Sequence, residues 1–155
     1  MKKDRMVETF IYEGLGFPIE LVNAPMKKVF GAWVLDVNLS QLQLKVLHLL
    51  VHKHSPLQAG ELRFIRKYFE MTTTAFGEVF GMSHVAVLKW EGGQLPSAAL
   101  DVYIRMFVMG QLRAKNEEFG KLYHQVSLAE LAQSKKRKQA YEPLVLDASL
   151  KLYSS

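Results

Sequence analysis

The chain contains no cysteine. That excludes disulfides and thiolate metal sites, and it fits a reducing cytoplasm as the expected setting. No stretch is apolar for the length of a membrane span, and the opening MKKDRMVETF has no apolar run of the signal-peptide kind. There is no glycine-rich phosphate loop, no Ser-His-Asp arrangement in a supporting context, no carboxylate pair in an apolar setting and no internal repeat. Nothing in these residues argues for catalysis, so no catalytic residue, no cofactor and no metal is expected. His48, His52 and His54 place two imidazoles at i, i+4 near a helix end, a spacing that can bind a metal. No acidic or thiol ligand follows nearby, and histidines at a helix C-terminus also complement its dipole.

What is present is a chain of 155 residues with 49% hydrophobic content, enough for one core with an appendage or for two small domains. The net charge is +5 and the pI about 9.4, which favours an anionic partner only in combination with a suitable motif. Residues 7 to 37 hold short runs rich in β-branched and aromatic residues, VETFIYEG, FPIELVNAP and KKVFGAWVLDV, punctuated by Gly14, Gly16, Pro18, Asn23 and Pro25. This pattern predicts a small antiparallel sheet with two turns. In LSQLQLKVLHLLV, the residues Leu39, Leu42, Val46, Leu49 and Leu50 share one helical face, with Ser40 placed to cap.

Four further helices are expected: Gly60 to Phe69, Thr73 to Phe80, Ser83 to Glu91, and Ser97 to about Leu112. Ser97 is a good N-cap, and Leu100, Tyr103, Ile104 and Phe107 are read as the buried stripe of the last of them. Another amphipathic stretch carries Phe119, Leu122, Tyr123, Val126 and Leu131. It is broken by the basic run Lys135-Lys136-Arg137-Lys138, and the tail YEPLVLDASLKLYSS reads as extended. The expected division is a β-rich region 1–38, a helical domain 39–112 and a C-terminal helix with basic tail 113–155.

The segment that speaks to function is ELRFIRKYFEMTTTAFGEVFGMSHVAVLKWEGGQLP, residues 61 to 96. Its spacing is that of a helix-turn-helix. Phe76 and Phe80 are i, i+4 on one helix and Val87 and Trp90 are i, i+3 on the next, so their apolar sides can close on each other. Gly77 leaves no side chain where the helices approach, Gly81 can take the left-handed turn conformation, Met82 fills the corner and Ser83 can cap.

FGMSHVAVLKWEGG resembles the Cro/CI-repressor (XRE) class of helix-turn-helix proteins over roughly residues 60 to 110. The resemblance implies a fold that is mainly α, a helix-turn-helix bundle carrying the small N-terminal antiparallel sheet. It also implies sequence-specific binding of double-stranded DNA at a palindromic operator by a homodimer, with a nucleoid-associated location. By the same resemblance the base-reading positions are His84, Val85, Leu88 and Lys89. His84 and Lys89 can donate to guanine or phosphate, and Val85 can pack on a thymine methyl. Thr73 stands where the class often has Gln; its amide and hydroxyl would hold a phosphate, and Thr72 and Ser83 could do the same. The resemblance further pairs Arg66 with Glu91 as a partly buried ion pair.

The order YEGxGFPIELVNAPMKKVFGAW, an amphipathic helix and then GELRFIRK is similar to the MqsA/YgiT class of type II antitoxins. That class has an N-terminal domain that binds zinc through two Cys-x-x-Cys pairs and also binds the toxin. This chain lacks those cysteines, and Phe30-Gly31-Ala32-Trp33 falls about where the second pair would end, as a hydrophobic plug in place of the metal. The expected role is therefore an autorepressing antitoxin with a toxin bound by the N-terminal region. The alternatives are a plain XRE regulator of phage or mobile-element type without a toxin, and an interaction module that keeps the motif only as a fold.

Overall fold

Three successive strands form from the β-branched and aromatic runs of the first part of the chain. They are seen in a computed structural model that describes residues 5–112, Leu131 and residues 142–149. β1 (Arg5–Tyr12), β2 (Ile19–Val29) and β3 (Ala32–Leu35) pair as an antiparallel meander with β2 in the middle. The buried side chains of β2 are Ile19 and Leu21, then Ala24 and Met26. A period of two would send the second pair to the opposite face. The extra residue is absorbed at Asn23, which has φ 54°. There Val22 and Asn23 stand against Thr9 alone, between the pairs Glu8↔Ala24 and Phe10↔Leu21. Thr9 Oγ1 accepts from the Asn23 amide at 3.1 Å. This bulge keeps the apolar residues of both halves of β2 on one face.

A fourth strand, β4 (Leu144–Asp147), comes from the C-terminal part of the chain and pairs in parallel with β2, from Ile19↔Leu144 to Val22↔Asp147. Since β1 holds one edge of β2 along both stretches, β3 and β4 share the other edge end to end. The expectation of a mainly α chain with a small N-terminal antiparallel sheet and a helical bundle is corrected here. Among the described residues there are five helices beside a four-stranded mixed sheet, with no helical bundle evident. The reason is physical. β3 satisfies the backbone of β2 only from Met26 onward, so the edge at Ile19–Val22 needs another partner, and LVLD supplies it from far along the sequence.

The helices are α1 (Leu39–His52), α2 (Ala59–Tyr68), α3 (Thr73–Val79), α4 (His84–Glu91) and α5 (Ala98–Gln111). α1 starts earlier than expected because Asn38 caps it, its Oδ1 accepting from the Gln41 amide at 3.0 Å; Ser40 lies inside the helix. Leu39, expected on the buried face, is exposed in the first turn, whereas Leu42, Val46, Leu47, Leu50 and Val51 are buried. Two compact units result, one holding residues up to Val46 with β4, the other running from Leu47 through α5.

The second unit is held by polar as well as apolar contacts. Phe107 of α5 meets Phe69, Phe76 and Phe80 edge-on, and Phe80 meets Tyr103. The buried face of α5 follows the expected stripe only in part. Ile104 is buried as expected and Leu100 and Phe107 are half-buried, but Tyr103 is more than half exposed, and Asp101, Arg105, Val108 and Met109 are buried instead. Arg105, with no exposed surface, donates Nε to Asp101 Oδ1 at 2.6 Å and reaches the carbonyls of Val51, Lys53 and Ser55. Asp101 Oδ2 accepts from the Leu57 amide at 2.8 Å. The pair thus satisfies the end of α1 and the loop after it, where backbone groups have no intrahelical partner. Lys53 and Glu61 form a second buried ion pair at 2.7 Å, and Glu61 also accepts from the Gln58 amide that opens α2.

Phe119, Leu122, Tyr123, Val126 and the basic run 135–138 lie outside the described residues; Leu131 is described and is buried. No helix among the described residues is long and apolar enough to cross a membrane.

Candidate functional site

α3, a turn and α4 form the candidate site, with α2 packed behind α4. Each helix begins on a hydroxyl cap. Thr72 Oγ1 accepts from the Ala75 amide at 3.0 Å, and Ser83 Oγ accepts from the Ala86 amide at 3.2 Å. The cap of α3 is therefore Thr72, and Thr73 is its first helical residue, half-buried. Between the helices, Gly81 takes φ 67°, the left-handed region that a residue with Cβ enters at a cost.

Gly77 is fixed by close approach. Its carbonyl accepts from the Met82 amide at 2.9 Å, and a Cβ built on it would lie 2.6 Å from the Met82 carbonyl oxygen. That oxygen is backbone and has nowhere to go. Gly77→Ala is therefore expected to lower stability by about 1–3 kcal/mol through overpacking, although alanine gains close to 1 kcal/mol in helix propensity. Urea unfolding reads the sign directly; an unchanged or raised midpoint would mean that the turn is not tight.

α4 divides cleanly between its two sides. Val87, Trp90 and Glu91 are buried, as are Phe76 and Gly77 of α3, while Phe80 is half-buried. His84, Val85, Leu88 and Lys89 are all exposed, at the i, i+1, i+4, i+5 spacing of one helical face. Two of these four are apolar, Val85 at 47% and Leu88 at 54% exposure. Val85 and Leu88 stand at i, i+3, so this face carries two adjacent apolar side chains beside His84 and Lys89.

The far end of α4 is clamped. Arg66 donates Nε to Glu91 Oε2 at 2.7 Å and Nη2 to Oε1 at 2.9 Å, a two-point contact of the kind a guanidinium fork makes. Its Nη1 reaches the Met71 carbonyl at 3.0 Å, tying α2, the loop before α3 and α4 together. Arg63, which sequence reasoning missed, adds a bond from Nε to Glu91 Oε1 at 3.2 Å and lies only half covered. It stands one turn before Arg66 on α2, and that i, i+3 spacing is the signal that could have found it.

Burial pushes the Glu91 carboxyl upward, but hydrogen bonds from Arg66 and then Arg63 outweigh it and hold the group below its ordinary value. Arg66 is held above its own by the same hydrogen bond. Two guanidiniums on one carboxylate leave this end of the helix with no excess negative charge. Exposed carboxylates nearby in sequence are Glu70 and Glu78, and exposed cations are Arg63, Lys67 and Lys89.

No family model, curated protein or solved structure matches this chain.

Of the residues singled out from sequence, the structure brings Arg66 to Glu91, and it brings the turn of Gly81 and Met82 against Gly77. His84, Val85, Leu88 and Lys89 come out together on one exposed face. Thr72 and Ser83 are engaged as caps, each hydroxyl keeping its proton to donate outward. His48 and His52 lie on α1 and His54 in the loop after it; among the described residues no group of three His, Asp or Glu side chains is placed to hold a metal. Phe30-Gly31 is not a plug within the sheet but the exposed tip of the β2–β3 hairpin.

Proposed function

We propose that this chain is a sequence-specific DNA-binding repressor of the Cro/CI-repressor type, reading the major groove with the exposed face of α4 as a homodimer on a palindromic site. One observation carries the reading. α4 is locked on its inner side by Val87, Trp90 and the Arg66–Glu91 clamp, and it presents His84, Val85, Leu88 and Lys89 outward. A groove-reading helix needs this combination, because base discrimination requires side chains held in register by a rigid support. Lys89 and His84 supply donors for guanine N7 and O6, and Val85 and Leu88 supply apolar contact for thymine methyls. The Thr72 and Ser83 hydroxyls and the helix-start amides beside them suit phosphate oxygens.

The antitoxin role is a narrower form of the same proposal. The order of the N-terminal stretch supports it, and the absence of the four zinc-holding cysteines of that class weighs against it. The plain regulator is the better supported form.

Lys89→Ala tests the reading. It is expected to weaken binding to a preferred duplex by about 1–3 kcal/mol and to relax base preference at one position, measured by anisotropy on a set of single-base variants. A loss equal on every duplex reassigns Lys89 to phosphate. Failure of the wild-type chain to bind any duplex at low salt removes the proposal.

A further inference from the structure

Beyond Met26 the β2–β3 hairpin leaves the body of its sheet. Every residue from Lys27 to Val34 is exposed, and from Lys28 onward the ribbon is two strands wide and exposed on both faces. Adjacent strand residues point to opposite faces, so Lys27 and Lys28 stand on opposite sides of the ribbon. Each lies across from an apolar partner, Lys27↔Val34 and Lys28↔Trp33, and Lys28 Nζ sits 5.8 Å from the Trp33 ring centre. Arg5 pairs with Lys27 from the neighbouring strand. The stretch from Lys27 to Leu35 contains no acidic residue, and Asp36 reaches Lys27 only as a surface pair at 3.6 Å.

The tip itself is costly. Phe30 and Gly31 have φ 49° and 82°, the pattern of a two-residue turn that strongly favours Asn-Gly or Gly-Gly. A bulky aromatic is disfavoured at positive φ, and Phe30 is fully exposed, so its ring gains nothing from burial. Folding does not explain this residue.

We infer that the β2–β3 ribbon is a second contact with duplex DNA, in which Lys27 and Lys28 face the two phosphate walls of a groove and Phe30 wedges against a base step. The inference rests on the DNA-binding reading of the chain. Cations on both faces suit a groove, which has a charged wall on either side, whereas an anionic lipid surface meets only the tip. Cores of protein interfaces are depleted in lysine, so lysines interleaved with the apolar residues favour nucleic acid over a protein partner. Apolar side chains flanked by cations are the known means of kinking duplexes from the minor groove.

The test uses the full chain and short duplexes carrying its preferred site. Phe30→Asn restores the favoured Asn-Gly turn, so it is expected to raise thermal stability while weakening duplex binding about tenfold and abolishing the end-to-end shortening seen by energy transfer between duplex ends. The double variant Lys27→Ala, Lys28→Ala is expected to reduce the slope of log affinity against log salt by roughly 2, near 0.9 for each phosphate that is no longer neutralised. Trp33 is an exposed natural reporter, Trp90 being buried, and its emission should change on adding duplex. If Phe30→Asn binds and bends DNA as the wild type does while Lys89→Ala still loses base preference, the ribbon inference falls and the α4 reading stands. A Trp33 response to phosphatidylserine vesicles with none to duplex also overturns it. Absence of any duplex binding by the wild type removes both.

Discussion

Arg105→Ala is expected to lower stability by roughly 3–5 kcal/mol, the largest loss expected from any of these single substitutions. The residue has no exposed surface and joins Asp101 to three backbone carbonyls on α1 and the following loop. Its removal leaves a buried carboxylate without its cation and strips those carbonyls of a donor. Asp101→Asn should also be costly, because it leaves the buried Arg105 guanidinium without its counter-charge, and the amide keeps only one of the two oxygens that accept from the Leu57 amide and Arg105 Nε. Arg105→Lys should cost less than either, since it keeps a cation beside Asp101, although one ammonium cannot span the fork that the guanidinium fills. Urea unfolding measures all three. A change below about 0.5 kcal/mol for Arg105→Ala would show the network to be dispensable.

Glu91→Ala is expected to cost about 3 kcal/mol, because it leaves Arg66 covered and without its counter-charge. The order of the three partners follows from their exposure. Arg66→Ala should cost less than Glu91→Ala, since Arg63 still faces the carboxylate, and Arg63→Ala should cost within about 1 kcal/mol because it is half in solvent. Replacing Arg66 and Glu91 together by apolar residues of similar size should be milder than removing either alone. The pH dependence follows from the direction of the Glu91 shift. Its folded value is depressed, so its contribution is fully present above the ordinary value of 4.5 and is lost as pH falls through the lower folded value. Wild type should therefore lose more stability than Glu91→Gln on acidification below about pH 4.5. Parallel acid profiles for the two would contradict the clamp.

The motif was legible in sequence because its determinants are local. Caps, the positive-φ glycine and i, i+4 apolar pairs all lie within a turn or two of each other, and Ser83, Gly81, Phe76 and Val87 take the places their chemistry implies. What escaped was non-local or charged. β4 joins β2 across most of the chain, and LVLD carries no mark of which edge it will fill. The α5 stripe was right at Ile104 but incomplete, because a hydrophobic pattern counts Asp101 and Arg105 as solvent-facing, whereas they are buried by satisfying backbone that only the folded chain brings near. The bulge at Asn23 hid the alternation of β2 in the same way, one inserted residue reversing its phase.

The most direct test of DNA recognition by α4 is selection of bound duplexes from a randomised pool by the purified full chain, repeated with Lys89→Ala. The expected result is enrichment of a palindrome whose half-sites are centred about 10–10.5 base pairs apart or a multiple of that, with the Lys89→Ala pool losing preference at one position in each half. A wild-type pool that stays random through successive rounds at low salt would contradict it.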